Sequence, residues 1–366
     1  MKLLIFADLH LDAPFTWLGR DAGRRRRQVV RDALGRIVDL AGELGVGALL
    51  CGGDLYEHDR FSADTAEFVR ACFARLHPLP VYVAPGNHDW LGPQSLYRAV
   101  EWSPNVHLFA SNRLAPVTLE EGLTLWGAAH LAPANTDDFL HGFRVDRGGV
   151  HLALFHGSER GGLAAQGSGK VPHAPFAAEE IAAAGLDHAF VGHYHFPRDA
   201  GRHTYPGSPV HLSFADVGER GVVIAEIGGD GGVVRERRRV SASEAHDLTV
   251  DLTGCASQQD VRDRLASAIG GLQGLVRVTL AGELGSQVDL RLGDLESRPP
   301  GIEALLVRVG DLRVAYDFAS IAREPTVRGQ FVRDVLDAPD LSAQRRARVL
   351  VTGLRALEGR DDLEVL

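Results

Sequence analysis

Residues 2–10 read KLLIFADLH, an apolar run that ends on two polar side chains, Asp8 and His10. A short apolar run bounded by polar residues is typical of a strand buried on both faces. The chain repeats this pattern at VGALLCGGD (46–54) and PVYVAPGNHD (80–89), with helical spacing of apolar residues over about 24–44 and 63–76 between them. Strands that alternate with helices predict an α/β fold with a largely parallel sheet packed between helices.

The middle of the chain changes character. NVHLFAS (105–111), APVTLEEGLTLWGAAH (115–130) and GVHLALFHG (149–157) are short strands separated by glycine-containing turns, which predict hairpins or a second sheet. A Gly- and Arg-rich stretch at 228–247 predicts a boundary. We therefore expect three parts: 1–240, a smaller α+β unit at 248–318, and a C-terminal helical segment at 325–366 with two amphipathic helices.

Composition limits the classes of protein. The chain has 366 residues, 45% hydrophobic and 24% charged, as in ordinary globular proteins. Without a run of about 18 apolar residues no membrane span is expected, and the short N-terminal apolar stretch does not fit a signal peptide, so we expect a cytoplasmic location. A net charge of −9 disfavours nucleic-acid binding over the whole surface but permits a local cleft whose charge comes from metal ions.

Potential metal ligands follow five of the predicted strands. In a parallel α/β sheet the carboxyl ends of the strands meet at one crevice, so residues far apart in sequence can come together there. The ligands are Asp8, His10, Asp54, Asn87, His156, His193 and His195.

Two of these strand ends carry ligands at positions i and i+2. In an extended backbone such residues point to the same side, which predicts that Asp8 and His10 form one pair and His193 and His195 another. Two carboxylates, one amide and four imidazoles are too many for one tetrahedral ion and suit two ions that share a carboxylate. Mixed nitrogen and oxygen donors favour Mn²⁺, Fe²⁺ or Zn²⁺, and paired ions are suited to phosphoryl chemistry.

The order Asp-x-His, Gly-Asp, Gly-Asn-His-Asp, His, Gly-His-x-His resembles the calcineurin-like metallophosphoesterase superfamily over about residues 1–228. ADLHLDAPF, GGDLYEHD, PGNHD and YPGSP are most similar to the DNA-repair exonucleases of the SbcD type. The resemblance implies a four-layer sandwich of two mixed β-sheets flanked by helices. It also implies a smaller α+β capping domain, which helps to position DNA, and C-terminal helices.

The resemblance also implies a role for each ligand. Asp8, His10 and His195 would hold one ion, Asn87, His156 and His193 the other, and Asp54 would bridge them. His88 resembles the histidine that faces the scissile phosphate without binding metal. Three residues after Asp54 the family has His or Asp and this chain has Glu57, which would hydrogen-bond His88 and orient it; the adjacent His58 is the alternative.

The function implied is that of a two-metal-dependent DNA nuclease, an exonuclease or endonuclease, with two divalent ions that are Mn²⁺ by resemblance and Fe²⁺ or Zn²⁺ otherwise. Its implied partners are DNA and a coiled-coil ATPase of the SbcC type, gripped by residues 326–357 unless those helices pack only on the chain's own core. A homodimer, and a role in repair or in anti-phage defence, stay open. The rival functions are hydrolysis of small phosphodiesters or cyclic nucleotides, and a catalytically silent regulatory subunit.

Two other features bear on DNA binding. The arginines of GRRRRQ (23–28) would either contact DNA phosphates or form a solvated helix face. His211, which follows YPGSP, is expected to have a structural role, with lining of the substrate cleft as the alternative.

Overall fold

The structure is a computed structural model that describes residues 1–134, 138–166, 171–295 and 297–360. The chain divides into two compact units, Met1–Glu244 and Ala245–Leu366. Within the described ranges, none of the helices has the length and apolar content that crossing a membrane requires.

The first sheet of the N-terminal unit has six strands. In chain order they are β1 (Lys2–Phe6), β2 (Ala48–Cys51), β3 (Val81–Val83), β4 (Val106–Leu108), β11 (Val222–Ile227) and β12 (Val233–Arg238). The spatial order is β12-β11-β1-β2-β3-β4, with β1 to β4 parallel and β11 and β12 antiparallel. The predicted parallel arrangement is confirmed. The NVHLFAS strand, expected in a hairpin or the second sheet, instead extends the first sheet as β4.

The second sheet also has six strands and is mixed. They are β5 (Ala115–Glu120), β6 (Leu123–Gly127), β7 (Val150–His156), β8 (His188–Gly192), β9 (Arg198–Asp199) and β10 (His203–Tyr205). The spatial order is β5-β6-β7-β8-β10-β9, in which β6, β7, β8 and β10 run parallel. Only β5 and β6 form the expected hairpin, and its turn contains Gly122 at a positive φ of 78°.

Helices cover the outer faces of both sheets. They are α1 (Arg20–Glu43), α2 (Ala63–Ala74), α3 (Leu96–Ala99) and α4 (Ala178–Ala183). Leu4 and Phe6 of β1 pack against α1 and α2, whereas Leu3 and Ile5 face the second sheet, whose far side packs against α4. Alternate β1 residues thus enter two different cores, which is why the strand is apolar throughout. The predicted four-layer sandwich is confirmed.

Arg26 fits neither role expected for the arginines of residues 23–28, which were contact with DNA phosphates and a solvated helix face. It lies on α1 with its side chain fully buried, where it donates hydrogen bonds to the Ser243 hydroxyl at 2.5 Å and to the backbone carbonyl of His211. Arg26 therefore ties α1 to the end of the N-terminal unit and is neither solvated nor available to DNA. His211 is also buried, and its ring contacts the carbonyls of Ser243 and Gly218. It therefore has the structural role that the sequence favoured, and it does not line the cleft.

The C-terminal unit has a three-stranded sheet in the order β13-β14-β15 and four helices among its described residues. The elements are β13 (Glu244–Asp251), α5 (Gln258–Ile269), β14 (Gly274–Gly285), β15 (Ile302–Ala315), α6 (Phe318–Ile321), α7 (Val327–Asp337) and α8 (Ala343–Leu357). The α5 helix packs on this sheet through Val261, Leu265 and Ile269. The stretch ALLVRVGDLRV (304–314) lies within the single strand β15.

The last two helices are amphipathic as predicted. Val332 and Val335 of α7 and Leu350 and Leu354 of α8 are buried in one cluster of the C-terminal unit. A second set of apolar side chains on these helices is exposed: Val327, Leu336, Val349 and Leu357. The helices thus pack on the chain's own core and also present apolar side chains to solvent. Residues 361–366 of the predicted helical segment lie outside the described residues.

Candidate metal centre

The structure brings the predicted site residues to one end of the two sheets. Asp8 follows β1, Asp54 follows β2, and Asn87 and His88 follow β3 in the first sheet. His156 ends β7, while His193 and His195 follow β8 in the second sheet. A cleft of about 860 Å³ opens above them, lined by all of the predicted site residues except Asp8 and His156, which are fully buried beneath it.

Two groups of donors lie side by side. In the first, ligand atoms of Asp8, His10 and His195 are all within 4.8 Å of one another, and the two imidazole Nε2 atoms are 3.2 Å apart. In the second, His156 Nε2 and His193 Nδ1 are 3.2 Å apart and lie 3.1 and 3.2 Å from Asn87 Oδ1. The groups contain the two ligand sets that the sequence resemblance implied.

Asp54 reaches both groups. Its Oδ2 lies 3.7 Å from His10 Nε2 and 3.3 Å from His156 Nε2, and its Oδ1 accepts a hydrogen bond from the backbone N–H of His88 at 2.8 Å. The Asp54 carboxylate is buried. This position supports the bridging role, which stays a prediction.

The donor spacings fit divalent ions. Bonds of about 2.0–2.1 Å from a metal to imidazole nitrogen place neighbouring donors roughly 2.8–3.0 Å apart in octahedral geometry and roughly 3.3–3.4 Å apart in tetrahedral geometry. The nitrogen and oxygen atoms of Asn87, His156 and His193 are spaced by 3.1–3.2 Å. Side chains arranged at this spacing are suited to surround a cation.

Burial and charge shift the pKa values of three donors, Asp54, His193 and His195, towards the forms that bind metal. They shift the pKa values of Asp8, His10 and His156 towards the protonated forms. Burial raises the pKa of Asp54, but the imidazoles of His156 and His10 outweigh burial and hold that pKa well below its usual range. Burial, with help from nearby imidazoles, lowers the pKa of His193 to about 2 and that of His195 to about 3. Neutral imidazole and ionised carboxylate are the forms that bind metal. Burial lowers the pKa of His156, but the Asp54 carboxylate raises it more, to about 9, so the His156 imidazole is protonated near neutral pH. A cation bound there would displace the proton from this imidazole.

The backbone that presents these donors differs from the one predicted. Asp8, His10, Asp54 and His193 have positive φ angles of 55°, 54°, 52° and 111°. The same-side argument from an extended backbone at Asp8–His10 and at His193–His195 is therefore wrong, although both pairs do reach the centre. Non-glycine residues rarely adopt such angles, which cost about 1–3 kcal/mol each and concentrate at functional sites.

Close packing behind the centre requires glycine at residue 192. A Cβ at Gly192 would overlap the carbonyl oxygen of Gly52 and lie 2.7 Å from His156 Nδ1. We expect Gly192→Ala to lower the free energy of unfolding by about 3 kcal/mol, as overpacking does when backbone cannot move away. Urea unfolding followed by circular dichroism measures this.

The matched control is Gly35→Ala, within α1, where a new Cβ meets no atom within 4 Å. This change should stabilise the protein by about 0.5–1 kcal/mol, since alanine is the better helix former. A Gly192→Ala protein as stable as the wild type would contradict the packing argument.

Glu57 connects the metal centre to His88. Its Oε1 lies 2.8 Å from His10 Nδ1 and its Oε2 lies 3.0 Å from His88 Nδ1. Burial raises the pKa of Glu57, but the bonds to both imidazoles lower it to about 2; burial lowers the pKa of His88, but Glu57 raises it to about 9. The neighbouring His58 ring stacks on Trp90 at 3.8 Å between centroids, so the geometry favours Glu57 over His58 as the support of His88.

Asp89 is a residue to which the sequence reasoning gave no role. Its buried carboxylate accepts backbone N–H groups of Asp54, Leu55 and Gly86 at 3.0, 2.7 and 2.5 Å, and the Tyr97 hydroxyl donates to it at 2.5 Å. One side chain thus holds the loop of the bridging aspartate beside the loop of Asn87 and His88. The signal was present, because Asp89 completes the GNHD motif.

His173 is a second residue that the sequence reasoning did not place at the site. It lines the cleft, and its ring centroid lies 5.4 Å from that of His193. No sequence pattern marks it, since it approaches through a loop and not at a strand end.

A sandwich of two mixed sheets with carboxylate, amide and imidazole donors gathered at the strand ends defines a metal-dependent phosphoesterase. The model of the family "Calcineurin-like phosphoesterase" matches residues 1–197, more than half of the chain. The chain belongs to this family. No curated protein matches it.

Among solved structures, the chain is similar to the crystal structure of the protein TT1561 of Thermus thermophilus. The two share 13% identity with a TM-score of 0.38, over 64% of this chain and 98% of the other. At this TM-score the likeness carries no argument about function.

Proposed function

We propose that this phosphoesterase is a two-metal-dependent DNA nuclease of the SbcD type, with Mn²⁺ as its metal. The observation that carries the proposal is the gathering of seven potential metal ligands and His88 at one cleft. Ions held by the two donor groups would activate water and stabilise charge on the phosphoryl oxygens.

The chain's own side chains supply the remaining functions. His88 is 45% exposed and lines the cleft, with its Nδ1 turned towards Glu57. Its Nε2 is therefore directed to the substrate side, where it stabilises the transition state or protonates the leaving oxygen. Glu57 fixes the direction of this ring and of His10 at the same time.

Two features favour DNA over a small phosphodiester. The cleft carries exposed aromatic side chains, which sites that bind single strands use to stack bases. The chain also continues through the unit Ala245–Leu366, beyond the residues that match the family. A small substrate does not need this addition, which we propose helps to position DNA.

The exposed apolar side chains of α7 and α8 support a protein partner. Val327 and Leu336 on α7, and Val349 and Leu357 on α8, remain exposed after these helices have packed on their own core. We propose that they bind a coiled-coil ATPase of the SbcC type.

A nuclease assay on defined linear DNA with Mn²⁺ tests the activity. We expect cleavage by the wild type and a decrease of about 10²- to 10⁴-fold in His88→Ala, the contribution typical of a positioned acid or base. His141→Ala, which removes an exposed imidazole that does not line the cleft, is the control and should retain activity.

One outcome would contradict the role of His88, and two would contradict the nuclease function. Undiminished cleavage by His88→Ala would show that this side chain has no catalytic role. Hydrolysis of a small phosphodiester without cleavage of DNA would favour the small-substrate alternative. A protein that binds two ions but hydrolyses neither DNA nor a small phosphodiester would be a silent regulatory subunit.

A further inference from the structure

Two large aromatic side chains are exposed in the cleft of the metal centre. Trp17 is 42% exposed and Phe196 is 51% exposed, and both line the same cleft as His10 and His195. Phe196 directly follows His195 in the sequence. We call these two side chains the aromatic wall.

The segment 212–220 supports both rings of the aromatic wall from behind. The Trp17 ring packs on Phe214 with centroids 4.6 Å apart. The Phe196 ring lies 4.6 Å from the guanidinium of Arg220, which is buried and has, among the described residues, no hydrogen-bond partner for its nitrogens. Two residues of one segment thus contact the two rings of the aromatic wall.

The wall is held in place as well as exposed. Phe15 is buried and meets the Trp17 ring edge-on at 6.1 Å, with its backbone in the left-handed region at a φ of 45°. A strained backbone persists only where its surroundings determine it. The ring of Trp17 is therefore positioned in advance, with its outer surface left open to water in the cleft.

Planar apolar surfaces beside a phosphate-binding centre suit a particular ligand chemistry. The cations would hold the phosphodiester, and the flat aromatic group that a DNA phosphodiester carries on either side is a nucleobase. Every base has a π-face, so stacking on aromatic side chains tolerates any sequence. A base in a duplex is already stacked and paired, so only an unpaired base can use the wall.

We infer that Trp17 and Phe196 stack on unpaired bases next to the scissile phosphate, so that the enzyme acts on single-stranded or frayed DNA ends. This inference rests on the proposed nuclease function and names its substrate more closely.

Binding measurements in EDTA, where turnover is prevented, test the stacking. The probes are a labelled single-stranded oligonucleotide, an abasic oligonucleotide of the same length, and a cyclic mononucleotide, with Kd measured by fluorescence anisotropy or competition. We expect the wild type to bind the base-containing strand roughly tenfold or more tightly than the abasic strand. In Trp17→Ala and in Phe196→Ala this ratio should fall several-fold towards one.

Two further variants separate stacking from folding. Trp17→Phe keeps an aromatic ring, so the ratio should persist, while the quenching of tryptophan fluorescence by the bound strand should be reduced because Trp17 supplies it. Val234→Ala removes an exposed apolar side chain that does not line the cleft and should change neither measurement.

The outcomes distinguish this inference from the function on which it rests. Equal affinity of the wild type for the two strands, or an unchanged ratio in both alanine variants, overturns the inference even if Mn²⁺-dependent DNA cleavage is observed. Absence of DNA cleavage in the nuclease assay overturns the proposed function. A cyclic mononucleotide that binds as tightly as the oligonucleotide overturns the assignment to DNA strands.

Discussion

Replacing Asp54 by asparagine is expected to lower phosphoesterase turnover by about a thousandfold or more. Asp54 is the buried carboxylate whose Oδ2 lies near an imidazole nitrogen of each donor group, His10 on one side and His156 on the other. An amide has the same size but lacks the negative charge, so both cations would be held more weakly. Losing one electrostatic contact to a reacting centre already costs about 10²- to 10³-fold.

Metal analysis and thermal unfolding check this expectation beside the activity assay. Asp54→Asn should bind less than two ions per chain and lose most of the rise in Tm that Mn²⁺ produces in the wild type. The matched control is Asp12→Asn. Both aspartates have left-handed backbones, with φ angles of 52° and 65°, which asparagine tolerates, but Asp12 contacts the Thr65 hydroxyl and not the donors. Two tightly bound ions in Asp54→Asn would contradict the bridging role.

Glu57→Gln is expected to lower both metal affinity and turnover by about 10- to 100-fold, the usual effect of removing a partner that orients a ligand. If Glu57 oriented His88 alone, as the sequence resemblance implies, turnover would fall while metal content stayed intact. The structure revises this, since the same carboxylate lies 2.8 Å from His10 Nδ1. A neutral amide cannot accept from both imidazoles as well as a carboxylate does.

Titrating Mn²⁺ separates the two effects of Glu57→Gln. Part of the lost turnover should return at high Mn²⁺, as the site that contains His10 fills, and the rest should persist because His88 is no longer oriented. Glu67→Gln, which removes an exposed carboxylate on α2, is the control. Complete recovery at high Mn²⁺ would show that Glu57 serves only His10, and no recovery would show that it serves only His88.

The sequence predicted the fold, and it predicted which side chains gather at the candidate centre, because both depend on patterns along the chain. Apolar runs such as 2–6 identify strands buried on both faces, and polar residues after them lie at the same edge of a sheet. The geometry could not be predicted in this way. The left-handed backbones of Asp8 and His10 result from hydrogen bonds to the loop of Gly53 and Asp54, and nothing in a periodic pattern describes such contacts.

Contacts between distant segments explain the other differences. Placing the strand Val106–Leu108 at the edge of the first sheet depends on its pairing with β3. The burial of Arg26 depends on Ser243, which lies more than two hundred residues away. The double contact of Glu57 likewise requires the positions of two rings from different strands. Each of these features is a property of the assembled sandwich.

The positive φ angles of Asp8, His10, Asp54 and His193 bear on which residue types suit these positions. Glycine adopts such angles without the steric penalty that a residue with a Cβ carries. Glycine at any of the four positions would therefore relieve backbone strain, but it would also remove a donor from the centre. The strain at these positions is thus tied to the side chains that they supply.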